Sequence, residues 1–134
     1  FCGEYDPAAL PALYGEVHFA WCIDFYEAGA NSEWLLPNRL YESIHGGAVP
    51  IVRAGTEAGR VMARQKVGIV LADTAPATLV TAIAQLGQEG HTALVARQRG
   101  LPRRFRAAGR EDCADLVRLV ADEAPAWDVQ RVGP

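Results

Sequence analysis

The sequence predicts an α/β fold, a Rossmann-like parallel sheet with helices on both faces. Three observations carry this reading. Short apolar blocks at 17–23, 48–52 and 67–71 alternate with stretches of helical periodicity. The blocks are nearly continuous in apolar character rather than alternating with polar residues, which marks strands covered on both sides, as in a parallel sheet. The segments between them carry helix start and stop signals where a repeating strand–helix–strand chain needs them.

The elements follow in order. Phe1-Cys2-Gly3 reads as the end of a strand, and Glu4-Tyr5-Asp6-Pro7 as a turn whose proline suits the first turn of a helix. Leu10, Leu13 and Tyr14 make a short helical stripe that Gly15 ends. Val17 to Ile23 reads as a buried strand, ended by Asp24, and residues 24–33 form a loop. The next helix places Leu36, Leu40 and Ile44 four apart on one face and stops at Gly46-Gly47. A second strand runs from Ala48 to Val52. Gly55-Thr56 then turns the chain, and Thr56 caps a helix that carries Val61 and Met62 and ends near Lys66. Val67 to Leu71 is a third strand. Pro76 opens a helix through Leu79, Ile83 and Leu86, which Gly87 and Gly90 break. A further helix spans His91 to Arg99. The last covers Arg110 to Ala124, with Cys113, Leu116, Val117 and Val120 on its apolar side. The expected organisation is one domain over 1–124 and a tail over 125–134. Three strands and a stub are few for such a sheet, so the domain is expected to be truncated at its N-terminus.

Composition narrows the function. Of 134 residues, 50% are hydrophobic, enough for a core, and the net charge of −3 argues against a general nucleic-acid binder. No apolar stretch approaches the roughly 20 residues that cross a bilayer, and no signal peptide is visible. Cys2, Cys22 and Cys113 are odd in number and widely spaced, which gives neither a disulfide framework nor a zinc pattern and fits a reducing, cytosolic setting. Cys22 reads as a small buried residue. His18, His45 and His91 lack metal spacing; His18 is expected in or near the core, and His45 at a helix C-terminus. Arg97, Arg99, Arg103, Arg104, Arg106 and Arg110 form a basic run around Phe105, either a solvated connector or a contact with an anionic membrane surface. One aromatic is too little interleaving for nucleic acid.

Ligands of open parallel sheets sit outside the carboxyl ends of the strands. Two such ends are Ile23-Asp24 and Val52-Arg53. The helix after the 24–33 loop points its N-terminus at that rim, where free N–H groups favour an anion, with Asn31, Ser32 and Glu33 just before or at its start. The plainer reading is helix capping by Asn31 or Ser32. Asn38 and Glu42 share a face, and a carboxylate there can accept both hydroxyls of a ribose diol; a solvated acid or an ion pair with Arg39 is the alternative. Glu57 at a helix start suits the dipole.

Motif order says more than any single residue. FCGEYDPAALPALYGEVHFAW, LLPNRLYESIHGGAVPIV, EAGRVMARQKVGIVLAD and PATLVTAIAQL, in that order, resemble the C-terminal half of a GT-B glycosyltransferase of the family 4 type. The look is nearest to bacterial exopolysaccharide enzymes of the succinoglycan kind. PNRLYE followed by GGAVPIV is the specific part, and the resemblance covers most of 1–124.

That resemblance implies two Rossmann-like domains flanking a cleft, with a nucleotide-sugar donor, a UDP-sugar, held by the C-terminal one. It implies that Glu42 binds the donor ribose and that Asn31, Ser32, Glu33, Trp34 and Leu35 lie by the diphosphate and sugar, with Asn38 and Arg39 beside them. It further implies retaining transfer without a metal or other cofactor, a saccharide or lipid-linked acceptor, and a partner N-terminal domain. The location implied is the cytoplasm, peripheral at the inner face of the plasma membrane. The helix N-terminus would stabilise the departing diphosphate. Two departures stand out. Many relatives carry a second acid eight positions before the ribose-binding Glu, where this chain has Trp34. The basic pair that holds the diphosphate in the family lies upstream, and Arg39 and Arg53 are either stand-ins for it or plain surface residues. The isolated chain is expected not to turn over. The rival from another class is a non-catalytic Rossmann-like interaction or regulatory module. A dinucleotide oxidoreductase is disfavoured, because no G-x-G-x-x-G follows a strand.

Overall fold

The computed structural model describes residues 6–26, 29–106 and 109–123. Three parallel strands, β1 (Phe19–Trp21), β2 (Val49–Arg53) and β3 (Ile69–Leu71), pair in the order β1-β2-β3. Phe19 lies opposite Val49, and Ile51 opposite Ile69. Successive strand side chains point to opposite faces, so the sheet feeds two cores. On one face Ala20, Cys22 and Val52 pack with Leu40 and Ile44 of α3 (Asn38–Gly46) and Met62 of α4 (Glu57–Gln65). On the other, Val49, Ile51, Ile69 and Leu71 pack against α5 (Pro76–Arg99) through Leu79, Ile83, Leu86 and Leu94. Helices therefore cover both faces, as the apolar blocks require.

Local chemistry fixes the element ends. Asp6 accepts a hydrogen bond from the Ala8 amide at 2.9 Å and starts the short 3₁₀ turn Pro7–Ala9 that leads into α1 (Leu10–Gly15). Gly47 ends α3 at φ 92°, a left-handed position where a side chain would be strained. The Asp73 carboxylate accepts from the Ala75 amide at 2.9 Å and the Thr78 hydroxyl at 2.7 Å, setting the entry to α5. These two bonds hold the Asp73 carboxyl below the usual range.

One buried side chain ties the layers together. The Gln98 amide donates to the carbonyls of Ala48 (3.2 Å) and Val67 (3.0 Å), at the starts of two neighbouring strands. Gln98→Leu keeps the bulk and strands two buried acceptors. It is expected to cost about 2–3 kcal/mol, read as a lower urea midpoint with an unchanged slope. A change below about 0.5 kcal/mol would show that the two bonds contribute little.

Several expectations need correction. The first strand is shorter than 17–23: Val17 is 46% and Trp21 39% exposed, and His18 is exposed rather than near the core. β1 has only β2 beside it among the described residues, and composition alone does not distinguish an edge strand from a central one. The expected 24–33 loop contains the start of a short helix, α2 (Asn31–Trp34), and the helix carrying Leu40 and Ile44 begins only at Asn38 as α3, after a Leu35–Pro37 linker. Pro37 has no amide to donate and disfavours helix at Leu36, which packs on the core from the linker instead. In α5 only Gly87 leaves helical geometry (φ 59°, ψ −177°); Gly90 stays within the helix, so Pro76 to Arg99 is one kinked element. α6 (Arg103–Arg106) is a single turn, and α7 (Arg110–Glu123) exposes Leu116, Val117 and Val120, each at 60% or more. Phe1–Gly3, Glu27 and the tail from Ala124 lie outside the described residues. Among the described residues no helix is long and apolar enough to cross a membrane.

Candidate functional site

A cleft opens at the carboxyl ends of β1 and β2, where the topology of a parallel sheet places ligands. Ile23 and Asp24 bring one wall from β1, and Arg53 and Thr56 bring another from the β2–α4 turn. Ser32 and Leu35 close it from α2 and its linker. The enclosed space is about 10 Å³, about one water. A larger ligand would lie across the mouth of this cleft.

The rim is built by specific bonds. The Arg39 guanidinium donates to the Ile23 carbonyl at 3.0 Å and so ties α3 to the end of β1. Its Nε is buried and has no hydrogen-bond partner among the described residues. The Asp24 carboxylate accepts from the Tyr26 amide at 3.0 Å and turns the chain away from the strand. Arg53 pairs with Glu33 at 3.5 Å, linking β2 to α2. Both side chains are a third to a half exposed, so the pair contributes less than about 1 kcal/mol. The Thr56 hydroxyl donates to the Arg53 carbonyl at 2.8 Å and accepts from the Gly59 amide at 3.0 Å. This cap holds the first turn of α4 against the strand end.

Glu42 sits one turn beyond Asn38 on α3, partly buried, with no hydrogen bond or ion pair among the described residues. Asn38 is exposed on the same helix. Glu42 acts electrostatically on Cys22, which lines the cleft floor. Burial pushes the Cys22 thiol up to about 11; Ser43, 3.9 Å away, and the Arg39 charge oppose this, and Glu42 adds to it. The folded value lies above the ordinary 9.0, so the unfolded chain loses this proton first. The contribution of Cys22 to stability is full below pH 9 and is lost as pH rises from about 9 to about 11. Urea melts at pH 8 and 10.5 should therefore show a steeper loss in the wild-type chain than in Cys22→Ala. Equal losses would mean that the thiol is not held neutral.

The residues singled out in the sequence are only partly brought together. Ser32 and Leu35 line the cleft, and Glu33 reaches it through Arg53. Asn31 begins α2, and Trp34 is 67% exposed and outside the lining. A helix does begin at Asn31, but it runs only four residues, and the longer helix α3 begins at Asn38. There Pro37 occupies the cap and gives no side-chain bond. Arg39 is engaged with a backbone carbonyl and Arg53 with Glu33. Cys22, Thr56 and Ala58 also line the cleft; only their positions at a strand end and a helix start could have signalled it. Among the described residues no three metal-ligating side chains are grouped to hold an ion.

No family model matches the chain, and no solved structure matches it. The chain is 40% identical over 122 residues, 90% of its own length, to the succinoglycan biosynthesis protein ExoL of Rhizobium meliloti (strain 1021). It spans 30% of the length of that relative.

Proposed function

We propose that this chain holds the nucleotide-sugar donor in a glycosyltransferase of exopolysaccharide biosynthesis. The observation that carries the reading is Glu42: a partly buried carboxylate with no hydrogen bond or ion pair among the described residues, on α3, which Arg39 ties to the Ile23 carbonyl beyond β1. A lone partly buried acid loses hydration without gaining a protein bond, and a ribose diol would restore two bonds to it. The name of the relative, a succinoglycan biosynthesis protein, supports a role in polysaccharide biosynthesis. The parallel sheet with helices on both faces supports a Rossmann-like donor domain.

In this reading the ribose sits on Glu42, near Asn38. The diphosphate lies across the cleft mouth between Asn31–Leu35 and Arg53. A UDP-sugar as donor, retaining transfer without a metal, a GT-B arrangement and a place at the cytoplasmic face of the membrane belong to the same proposal. The acceptor and the other domain come from the rest of the protein. The exposed apolar stripe of α7 favours the rival reading, an interaction module.

Calorimetric titration of the chain with UDP and 2′-deoxy-UDP separates the two. The donor reading expects the deoxy nucleotide to bind about tenfold more weakly, the loss of one hydroxyl bond to a charged acceptor. Equal affinities would remove the ribose role from this site.

A further inference from the structure

The two arginines at the cleft rim are held in unlike ways. Arg39 donates to the Ile23 carbonyl at 3.0 Å, a neutral backbone group that fixes it to the frame. Among the described residues Arg53 donates only to the Glu33 carboxylate, through one nitrogen at 3.5 Å. A guanidinium has five N–H donors and can grip two oxygens at once, and this pair uses a single long contact. Both side chains keep a third to a half of their surface in water. Such a pair places Arg53 without binding it strongly.

Position makes Glu33 a competitor. Arg53 lines the cleft at the carboxyl end of β2, whereas Glu33 lies outside the lining on α2, next to Ser32, which does line it. A carboxylate and a phosphate offer a guanidinium the same thing, anionic oxygens that accept its N–H groups. A diphosphate carries more charge and meets the guanidinium with two oxygens. We infer that Glu33 occupies on Arg53 the place of the donor's diphosphate, as a built-in competitor that the donor displaces and that returns as the nucleotide product leaves. The identity of the anion rests on the donor reading; the exchange on Arg53 does not. Glu33 thereby sets the affinity of the cleft, since it both holds Arg53 and repels an anion at the mouth.

Calorimetric titrations of wild type, Glu33→Gln and Arg53→Gln with pyrophosphate, UDP and uridine test this. Glu33→Gln keeps the shape and removes the charge. It is expected to bind pyrophosphate and UDP about fivefold more tightly and uridine with unchanged affinity. Arg53→Gln should weaken pyrophosphate binding about tenfold, and in that background the gain from Glu33→Gln should shrink below about twofold. A merely structural pair would shift all three ligands together, and thermal melts check that the variants are folded. Pyrophosphate affinity that is unchanged or lower in Glu33→Gln, or absent from both proteins, would overturn the competitor. The donor reading fails separately. Tighter pyrophosphate binding in Glu33→Gln beside equal affinities for UDP and 2′-deoxy-UDP keeps the competitor and sinks the ribose role. UDP binding that needs the 2′-hydroxyl but ignores Glu33→Gln sinks only the competitor.

Discussion

Gly59→Ala is expected to destabilise the chain by about 3 kcal/mol, lowering its thermal midpoint by roughly 10 °C. The sign is opposite to helix propensity, by which the same change in an open helix stabilises by about 1 kcal/mol. A methyl group at Gly59 would fall on the Arg53 carbonyl oxygen, 3.1 Å from its carbon and 3.3 Å from the Ala54 Cα. All three are backbone atoms, so no rotamer change relieves the clash. Relief needs α4 to move off the end of β2, which breaks the Thr56 bonds to Arg53 and Gly59 and displaces two walls of the cleft. Gly90→Ala is the control. There the nearest atom is the end of the Leu86 side chain at 2.8 Å, which can move, and the effect should be small. Equal midpoints for wild type and Gly59→Ala would mean that α4 does not approach the strand this closely.

The sequence made the strand–helix alternation legible because each strand lies in a short, mostly apolar block bounded by helix caps and turns. Thr56, Gly47 and Pro76 sit at the ends they announced. Extents were less legible. The run Val17 to Ile23 is as apolar as a central strand, yet β1 has a single described neighbour and keeps three paired residues. Periodicity joined Leu36 to Leu40 and Ile44, whereas one proline, through its missing amide, delays that helix to Asn38 and leaves Leu36 in the linker before it. Asn31 and Ser32 open a separate helix of four residues, α2. The rim contacts were not legible at all. Arg39 bonds the Ile23 carbonyl and Arg53 pairs with Glu33 across separations of 16 and 20 residues, and no local pattern encodes such a meeting. The carboxylate of Glu42 is different: its motif and its spacing from Asn38 marked it, and it has no hydrogen-bond or ion-pair partner among the described residues.

The second large effect follows from that carboxylate. If it accepts both ribose hydroxyls, Glu42→Ala removes two charge-assisted hydrogen bonds, about 3 kcal/mol together, or roughly a hundredfold in affinity. Fold stability should hardly change, since Glu42 makes no hydrogen bond or ion pair among the described residues. The most direct measurement is an NMR titration of the chain with UDP beside the same titration of Glu42→Ala. The account predicts shifts clustered at residues 31–42 and 53–57 in the wild type, with affinity falling roughly a hundredfold in the variant. Unchanged affinity in Glu42→Ala, or no shifts in that region at millimolar UDP, would contradict it.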